Sequence, residues 1–410
     1  MSNAAYRLFL LATGSWFLSW GLQSVVLPWL VVQELRESPA RVGLVQSLAL
    51  LPSLPLLLIG GAAADRAEPR RLLIALHAAI GVLLVALAAV VAAGGLSYGR
   101  LLAFAIAAGA CNALQHPARD AELNRVSRAA IGRGVVGASV IGQVGQAAGA
   151  LAGAALAALG APLVLLVQAG VSLGGLIPLL ALRGGPPVRS APVAGHPSLL
   201  AGWRESFRVL AQSPVLGPVF VLTACVGLLF VGVYGVVLPL LVRDVYGGGP
   251  RETSLILSML PLGGIVGGVA IFARGGIARN GRALLVGQVF AAVCIGTIAF
   301  APSFWGANLA VLGWGVGSAY FLTAGRTLFH LYAPEAQRAT LLGLYVLGIL
   351  GAGPIGSLLS GFLVAELGAH GALAAQAAAM LAFVGATAAG TGIARAEGYP
   401  APVAPSEDVP

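Results

Sequence analysis

The sequence contains no lysine, and charge of either sign is scarce in it. Only 9% of its 410 residues are charged. There are 23 basic residues, all arginine, and 14 acidic residues. Hydrophobic residues make up 58% of the chain, and the mean hydropathy is +0.93. A soluble domain of this length needs a far more polar surface to stay hydrated. These values therefore exclude a soluble globular protein.

Charge is also missing from long internal runs such as 8–32, 43–64 and 72–95. Each run exceeds the roughly 18 to 20 residues that a helix needs to cross about 30 Å of hydrocarbon. Only helices and closed barrels satisfy their backbone in lipid, and these runs are too long for barrel strands. The sequence predicts an all-α polytopic membrane protein with twelve transmembrane helices, numbered here as spans 1 to 12.

Cysteine is rare as well, and its pattern excludes two kinds of site. Cys111, Cys225 and Cys294 each lie in an apolar run without metal-ligand spacing, so we expect neither a disulfide framework nor a metal site. We also expect no cofactor. Five scattered histidines and no carboxylate near the middle of a span argue against an enzyme. The net charge of +9 lies in arginines of short loops, so we expect no nucleic-acid partner.

The arginines predict the orientation of the chain. With the N-terminus placed in the cytoplasm, all but five of the 23 arginines fall on the inner side. The five outer ones are Arg36, Arg41, Arg100, Arg243 and Arg251. Cytoplasmic loops carry the excess of positive charge, so this asymmetry predicts that both termini are cytoplasmic.

The chain divides into two similar halves around a hydrophilic interruption. Similar residues recur in the two halves at a nearly constant separation along the chain, with Arg119 matched by Arg326 and Gly137 matched by Gly343. This spacing indicates tandem duplication of a six-helix unit into two pseudo-symmetric bundles. The interruption contains a segment with Trp203 on one side and charge on the other, which predicts either a helix lying flat on the membrane or a solvated linker helix. The predicted boundaries are 1–183 for the first bundle, 184–213 for the linker, 214–395 for the second bundle and 396–410 for a disordered tail.

The loop between spans 2 and 3 carries a glycine, a carboxylate and several arginines in a characteristic order. These residues are Gly61, Asp65, Arg66, Arg70 and Arg71. The order resembles the loop signature of the major facilitator superfamily, although the residues 67–69 make the turn slightly longer. The glycine lets two helices approach closely, and the Asp-Arg cluster can hold the inner ends of neighbouring helices together. Ordinary topology-determining arginines are the alternative interpretation.

Two further segments resemble one branch of that superfamily, the transmembrane secretion effectors that include the enterobactin exporter. They are the run 43–55 leading to the loop and the end of span 4 at Pro117-Ala118-Arg119. The resemblance implies two bundles that rock about a central site lined by spans 1, 4, 7 and 10. It also implies that Arg70 or Arg71 pairs with Asp120 or Glu122 when the outside is open. The alternative is a surface ion pair that contributes little to the free energy of the protein.

The resemblance further implies a secondary active transporter that exports a small amphipathic molecule of the siderophore or drug class. It would be a monomer in a bacterial inner membrane, surrounded by lipid. A lysophospholipid flippase of the same fold is an alternative, and a non-transporting receptor is an alternative of another class. No carboxylate lies near the middle of a span, so the sequence lacks the kind of residue that usually carries the proton. His116, Asp120 and Glu122 remain as candidates for proton coupling.

Uncharged polar and aromatic residues at helical spacing predict the lining of the central path. They are Trp16, Trp20 and Gln23 on span 1, Asn112 and His116 on span 4, Gln143 with Gln146 on span 5, Phe230 and Tyr234 on span 7, and Trp314, Ser318 and Phe321 on span 10. For each set, ordinary packing between helices is the alternative, because amides in lipid also join helices. A cavity of this composition suits an apolar or zwitterionic cargo better than a simple ion.

Overall fold

The computed structural model describes residues 3–56, 68–127, 131–183 and 199–396, and every regular element within these ranges is helical. The first half contains Asn3–Trp29 with the π-helix Leu30–Glu34 (span 1), Pro39–Leu50 (span 2), Pro69–Ala92 (span 3), Tyr98–Val126 (span 4), Ile131–Ala152 with the 3₁₀ turn Gly153–Ala155 (span 5), and Leu156–Gly174 with Leu176–Ala181 (span 6). The second half contains Leu216–Leu229, the π-helix Val233–Val237 and Leu238–Asp244 (span 7), Pro250–Ala273 (span 8), Asn280–Ile298 (span 9), Phe304–Tyr332 (span 10), and Arg338–Gly390 (spans 11 and 12). The predictions at Gly61, Asp65 and Arg66, and those for half of the linker and most of the tail, lie outside the described residues.

Eight helical stretches in the described ranges are long and apolar enough to cross a membrane. Two of them, Gly137–Ala181 and Thr340–Gly390, are 45 and 51 residues long and each contains two spans. Span 2, of which only the first part is described, and the less apolar span 10 complete the set of twelve. The prediction of an all-α polytopic membrane fold is confirmed.

The two long stretches are helical hairpins broken at glycine. Gly160 and Gly368 have φ angles of 73° and 68°, in the left-handed region that glycine adopts without steric cost. Gln376 donates a 2.7 Å hydrogen bond to Ser360, and these residues lie equally far from Gly368 along the chain. The two arms of this hairpin, spans 11 and 12, are therefore antiparallel.

The halves pack by the same scheme and meet at two related interfaces. Span 1 packs against span 5 and span 3 against span 6, just as span 7 packs against span 11 and span 9 against span 12. Between the halves, span 2 contacts span 11 and span 5 contacts span 8. At the first of these contacts Gly43 lies against Ser357 and Gly361, so close that a Cβ on Gly43 would lie 2.6 Å from the Ser357 carbonyl oxygen. Small residues allow this approach of backbones in a membrane.

A separate helix, Leu199–Gln212, connects the linker to span 7. Its Ser206 and Leu210 are buried, whereas Phe207 is exposed and stacks edge-on against Phe220 of span 7 at 6.1 Å between ring centroids. Arg208 pairs with Glu205 at 2.7 Å on the polar side of the helix. The helix is thus amphipathic and anchored at the start of the second half.

Candidate functional site

A cavity of about 200 Å³ lies between the two halves at the centre of the bundle. All six spans of the first half contribute to it, and spans 7 and 11 close it from the second half. Among the described residues, its lining contains no acidic, basic or histidine side chain. The lining residues are Trp16, Ser19, Trp20, Gln23, Ser24, Leu27, Gln46, Ala49, Leu50, Ile80, Ala105, Ala108, Gly109, Asn112, Gln146, Gln168, Val231, Tyr234, Gly235 and Ser357.

Span 1 presents the predicted stripe of Trp16, Trp20 and Gln23 to this cavity. Gln23 is held in place by span 6, because Gln168 donates a 2.8 Å hydrogen bond from its Nε2 to the Gln23 Oε1. The same Gln168 Nε2 also donates to the carbonyl of Ser19 at 3.0 Å. The amide therefore clamps one turn of span 1 and sets the position of its polar face.

Two side-chain oxygens at the cavity have no hydrogen-bond donor among the described residues. They are Asn112 Oδ1 and Gln168 Oε1, and both are buried. A buried acceptor without a partner costs free energy, on the order of 1 to 3 kcal/mol. These oxygens can accept hydrogen bonds from a molecule in the cavity.

Spans 1 and 2 contact span 7 across the cavity, and span 8 contacts it within the second half. Gln46 donates from its Nε2 to the carbonyl of Gly235 at 3.1 Å. The Tyr234 hydroxyl donates to the carbonyl of Leu257 at 3.0 Å and lies 3.4 Å from Ser24 Oγ. Tyr234 and Gly235 belong to the π-helical turn of span 7, an irregularity that is frequent at functional sites.

The cavity is sealed on the face opposite the N-terminus. Arg243 of span 7 donates from its Nη1 to the carbonyl of Val32 in span 1 at 3.0 Å, and Gln33 donates to the carbonyl of Gly248 at 3.2 Å. Aliphatic side chains fill the space beneath these bonds and are at most 1% exposed, namely Leu30, Val31, Val236, Leu240 and Leu241. The structure is therefore a state closed at this opposite face.

Toward the N-terminal face, a cluster of aromatic and basic side chains borders the cavity. The rings of Trp20 and His116 meet edge-on at 6.3 Å between centroids. Arg119 lies over the ring of Phe17 at 4.9 Å from its centroid, and its Nη2 lies 3.5 Å from His116 Nδ1. The charge of Arg326 on span 10 acts electrostatically on both His116 and Arg119. Aromatic and basic side chains of spans 1 and 4 thus border the N-terminal side of the cavity, with a further positive charge acting from the second half.

The arginines predicted to form a gate are engaged elsewhere in this state. Arg70 donates to the carbonyl of Leu179 at 2.8 Å from its Nε and to that of Leu180 at 3.1 Å from its Nη2. It thereby satisfies carbonyls at the end of span 6, which a helix leaves without partners. Arg71 pairs with Glu68 at 2.7 Å on its own helix.

The predicted acidic partners of those arginines also pair locally. Asp120 lies 3.7 Å from Arg119 and is 58% exposed. Glu122 is fully buried and receives two hydrogen bonds from Arg125, one of them from Nε at 2.9 Å. These pairs were predicted for a state open at the outside, and the present state, closed at the face opposite the N-terminus, does not contain them.

The family described as transmembrane secretion effector matches residues 1–394. The chain belongs to this family, a branch of the major facilitator superfamily. It is therefore a multi-pass membrane transporter rather than an enzyme, and the alternative of a non-transporting receptor falls away. No curated protein matches it in sequence.

Solved structures share the fold of this transporter at low identity. A single-site variant of the nucleoside transporter NupG is 16% identical over 94% of this chain and 99% of that chain, with a TM-score of 0.78. A structure of proton-dependent oligopeptide transporters is 13% identical, covers 96% and 99%, and has a TM-score of 0.74. A bacterial homologue of the human lysosomal transporter Spinster, inward-facing and unoccupied, is 17% identical, covers 96% and 97%, and has a TM-score of 0.69. These likenesses show the fold alone.

Several residues predicted for the path lie elsewhere in the transporter. Phe230 and Trp314 pack edge to face at 5.8 Å and are 2% and 4% exposed, and Phe321 is 1% exposed. In this state these three rings belong to the core of the second half rather than to the cavity lining. Ser318 is half-buried outside the lining, and Gln143 lies against Gly264 of span 8 at the interface between the halves.

Other lining residues of the transporter were not predicted. Gln46, Gln168 and Ser357 lie on spans 2, 6 and 11, which the family layout does not assign to the path. The available signal was an amide or hydroxyl inside an otherwise apolar span, the feature that also drew attention to Gln143 and Gln146. Of that pair, only Gln146 lines the cavity.

Proposed function

We propose that this transporter exports a small amphipathic molecule, of the siderophore-like or drug-like class, from the cytoplasm by alternating access. The protein works as a monomer in a bacterial inner membrane with both termini in the cytoplasm. The arginine asymmetry supports this orientation, in which the N-terminal face is cytoplasmic.

The observation that carries the proposal is the charge-free lining of the central cavity. Two indole rings, Trp16 and Trp20, offer apolar surface, while the amides of Gln23, Gln46 and Asn112 offer hydrogen bonds. Such a mixture binds the apolar body of a molecule and orients it through a few polar groups. A simple ion or a sugar acid would find no fixed opposite charge here.

Alternating access needs contacts that form in one state and break in another. The bonds from Arg243 to Val32 and from Gln33 to Gly248 close the outer face in the present state. Rocking of the halves along the glycine-lined contacts of spans 2 with 11 and 5 with 8 would exchange this seal for one at the inner face. Arg70 and Arg71 would then be free to exchange their present partners for Asp120 or Glu122.

Proton coupling, if transport uses it, would depend on residues at the inner side. His116 borders the cavity through Trp20, Asp120 is exposed to solvent, and Glu122 is buried against Arg125. Of these, His116 is placed closest to a bound cargo.

A lysophospholipid flippase is the second candidate, and one observation favours it. An apolar groove of about 420 Å³ lies between the amphipathic helix and span 7. Its lining includes Phe207, Leu210, Pro218, Phe220 and Val221, which suit an acyl chain.

Transport by the purified protein in proteoliposomes tests the proposal. Vesicles would be loaded in turn with a catecholate siderophore, a cationic dye and a lysophospholipid, each with and without an imposed pH gradient. Protein-dependent movement of one of the first two supports export of amphipathic solutes, and movement of the lysophospholipid alone supports the flippase. A dependence on the pH gradient that is lost in His116→Asn, with counterflow exchange retained, would assign proton coupling to His116.

A further inference from the structure

A stripe of polar residues on span 4 leads from the cavity to the N-terminal face. Asn112, His116 and Arg119 are spaced i, i+4 and i+7, so they lie on one side of the helix. Asn112 lines the cavity, and His116 touches Trp20, which also lines it. Arg119 lies about 10 Å further along the axis, at about 1.5 Å per residue.

The guanidinium of Arg119 is poorly satisfied by the protein. Its Nη1 is buried and has no hydrogen-bond partner among the described residues. Its Nη2 makes only long contacts, 3.5 Å to His116 Nδ1 and 3.7 Å to the carboxylate of Asp120. The side chain is 16% exposed, whereas Asp120 is 58% exposed and is therefore screened by water. A buried cation of this kind requires an opposite charge close by.

A second arginine reaches the same place from the other half of the molecule. Arg326 occupies the position in span 10 that matches Arg119 in span 4 after the duplication. It is exposed and makes no hydrogen bond or ion pair with another described residue. Its charge acts on Arg119 from the other half, so the two like charges repel each other, and the exposed carboxylate of Asp120 offsets this only through a long contact. An anion between them would relieve this repulsion and join the halves.

We propose that Arg119 and Arg326 bind an anionic group, such as a carboxylate or phosphate, at one end of the amphipathic cargo. The apolar body of that cargo lies in the charge-free cavity beside Trp20. This assignment rests on the proposed function and narrows its substrate class to amphipathic anions and zwitterions. The two halves each supply one arginine, so the bound anion bridges the halves on the N-terminal side of the cavity.

A matched pair of ligands tests this assignment by binding alone. 1-Naphthoate and the neutral 1-naphthamide have nearly the same shape and differ in charge. Calorimetry on the purified full-length protein in detergent should show binding of the naphthoate about tenfold tighter or more, the scale of a charge-assisted hydrogen bond. Inorganic phosphate should compete weakly, because it lacks the apolar body.

Variants of single arginines show which side chain causes the preference for the anionic ligand. Arg119→Gln should abolish the preference for the anion, Arg326→Gln should reduce it severalfold, and Arg119→Lys should retain part of it. Arg282→Gln removes an exposed arginine from the same face at span 9 and serves as the matched control, with the preference unchanged. Because Arg326 is exposed, its variant keeps the test valid even where Arg119→Gln fails to fold.

Three outcomes would overturn the assignment. They are equal binding of the two naphthalene ligands to the unaltered protein, an unchanged preference in Arg326→Gln, and binding of phosphate as tight as that of the naphthoate. If the unaltered protein shows no preference for the anion but transports an uncharged amphiphile, only the anion site is refuted. An intact preference without any transport in proteoliposomes would refute the proposed export only.

Discussion

Gln46 of span 2 donates a 3.1 Å hydrogen bond from its Nε2 to the carbonyl of Gly235 in the π-helical turn of span 7. The bond crosses the cavity and joins the two halves. A π-helical turn leaves its carbonyls less regularly paired than an α-helix does, so this carbonyl is open to a partner from outside its own helix. The bond must break when the halves rock apart at the outer face.

Gln46→Leu should therefore favour opening of the outer face. The loss leaves the Gly235 carbonyl without this donor and weakens the closed state by about 1 to 2 kcal/mol, which changes its population ratio by about 5- to 30-fold. The measurement is the rate at which a membrane-impermeant maleimide added outside labels Leu27→Cys in a background lacking the native cysteines. Thr297→Val removes only a bond within span 9 and should leave that rate unchanged. An equal rate in Gln46→Leu and the parent would show that the bond does not hold the closed state.

Trp20→Ala and Gln23→Ala should weaken the apparent affinity for cargo by about tenfold while changing maximal turnover less. Trp20 supplies apolar surface to the cavity, and Gln23 supplies the amide that Gln168 holds. Transport rates against cargo concentration provide the measurement. Trp305→Ala is the matched control, because Trp305 is 68% exposed and distant from the lining. If both cavity variants keep the parental affinity, cargo binds elsewhere.

Gly361→Ala should disturb the contact between spans 2 and 11. A Cβ at this position would lie 2.6 Å from the carbonyl oxygen of Pro39, so the backbones must separate. Overpacking of this kind costs about 1 to 3 kcal/mol, which should lower Tm and slow transport. Gly268→Ala is the control, since no atom lies within 4 Å of its Cβ and alanine favours the helix. A Tm for Gly361→Ala as high as that for Gly268→Ala would contradict the close approach.

Glu122→Gln and Asp120→Asn should differ in their effect on stability. Glu122 is fully buried against Arg125, and removal of its charge leaves that guanidinium without its partner, at a cost of about 3 kcal/mol. Asp120 is 58% exposed and makes only a long ion pair, so its neutralisation should cost little. Thermal unfolding of both purified variants checks the difference. Equal values of Tm would mean that the pair of Glu122 with Arg125 does not stabilise the fold. Glu122 would then be a stronger candidate for proton coupling.

The fold could be predicted from the sequence because the bilayer imposes length and polarity on every span. The same periodicity argument was less successful for the site. Trp16, Trp20 and Gln23 share the spacing of Trp314, Ser318 and Phe321, yet only the first set lines the cavity in this state. Spacing identifies a common face of a helix, but the packing of other helices decides what that face contacts.

The amide residues also show that sequence alone does not separate a packing role from a role in the cavity. Gln46 and Gln168 look, in sequence, like the polar side chains that join helices in lipid, and Gln168 indeed binds span 1. They also line the cavity, because a side chain with two polar ends can serve a neighbouring helix and a cargo together. Only the tertiary arrangement separates these roles.

Of the twenty described residues that line the cavity, sixteen come from the first half and four, Val231, Tyr234, Gly235 and Ser357, come from the second. A cargo that touches mainly one rigid body keeps most of its contacts while the other body moves. A ligand shifts a conformational equilibrium only by its difference in affinity for the two states. Occupancy of the cavity alone would then provide little drive for the conformational cycle. The few contacts that cross to the second half would decide how far bound cargo shifts that equilibrium. A change of cargo could therefore evolve in the first half without altering the movement between the halves.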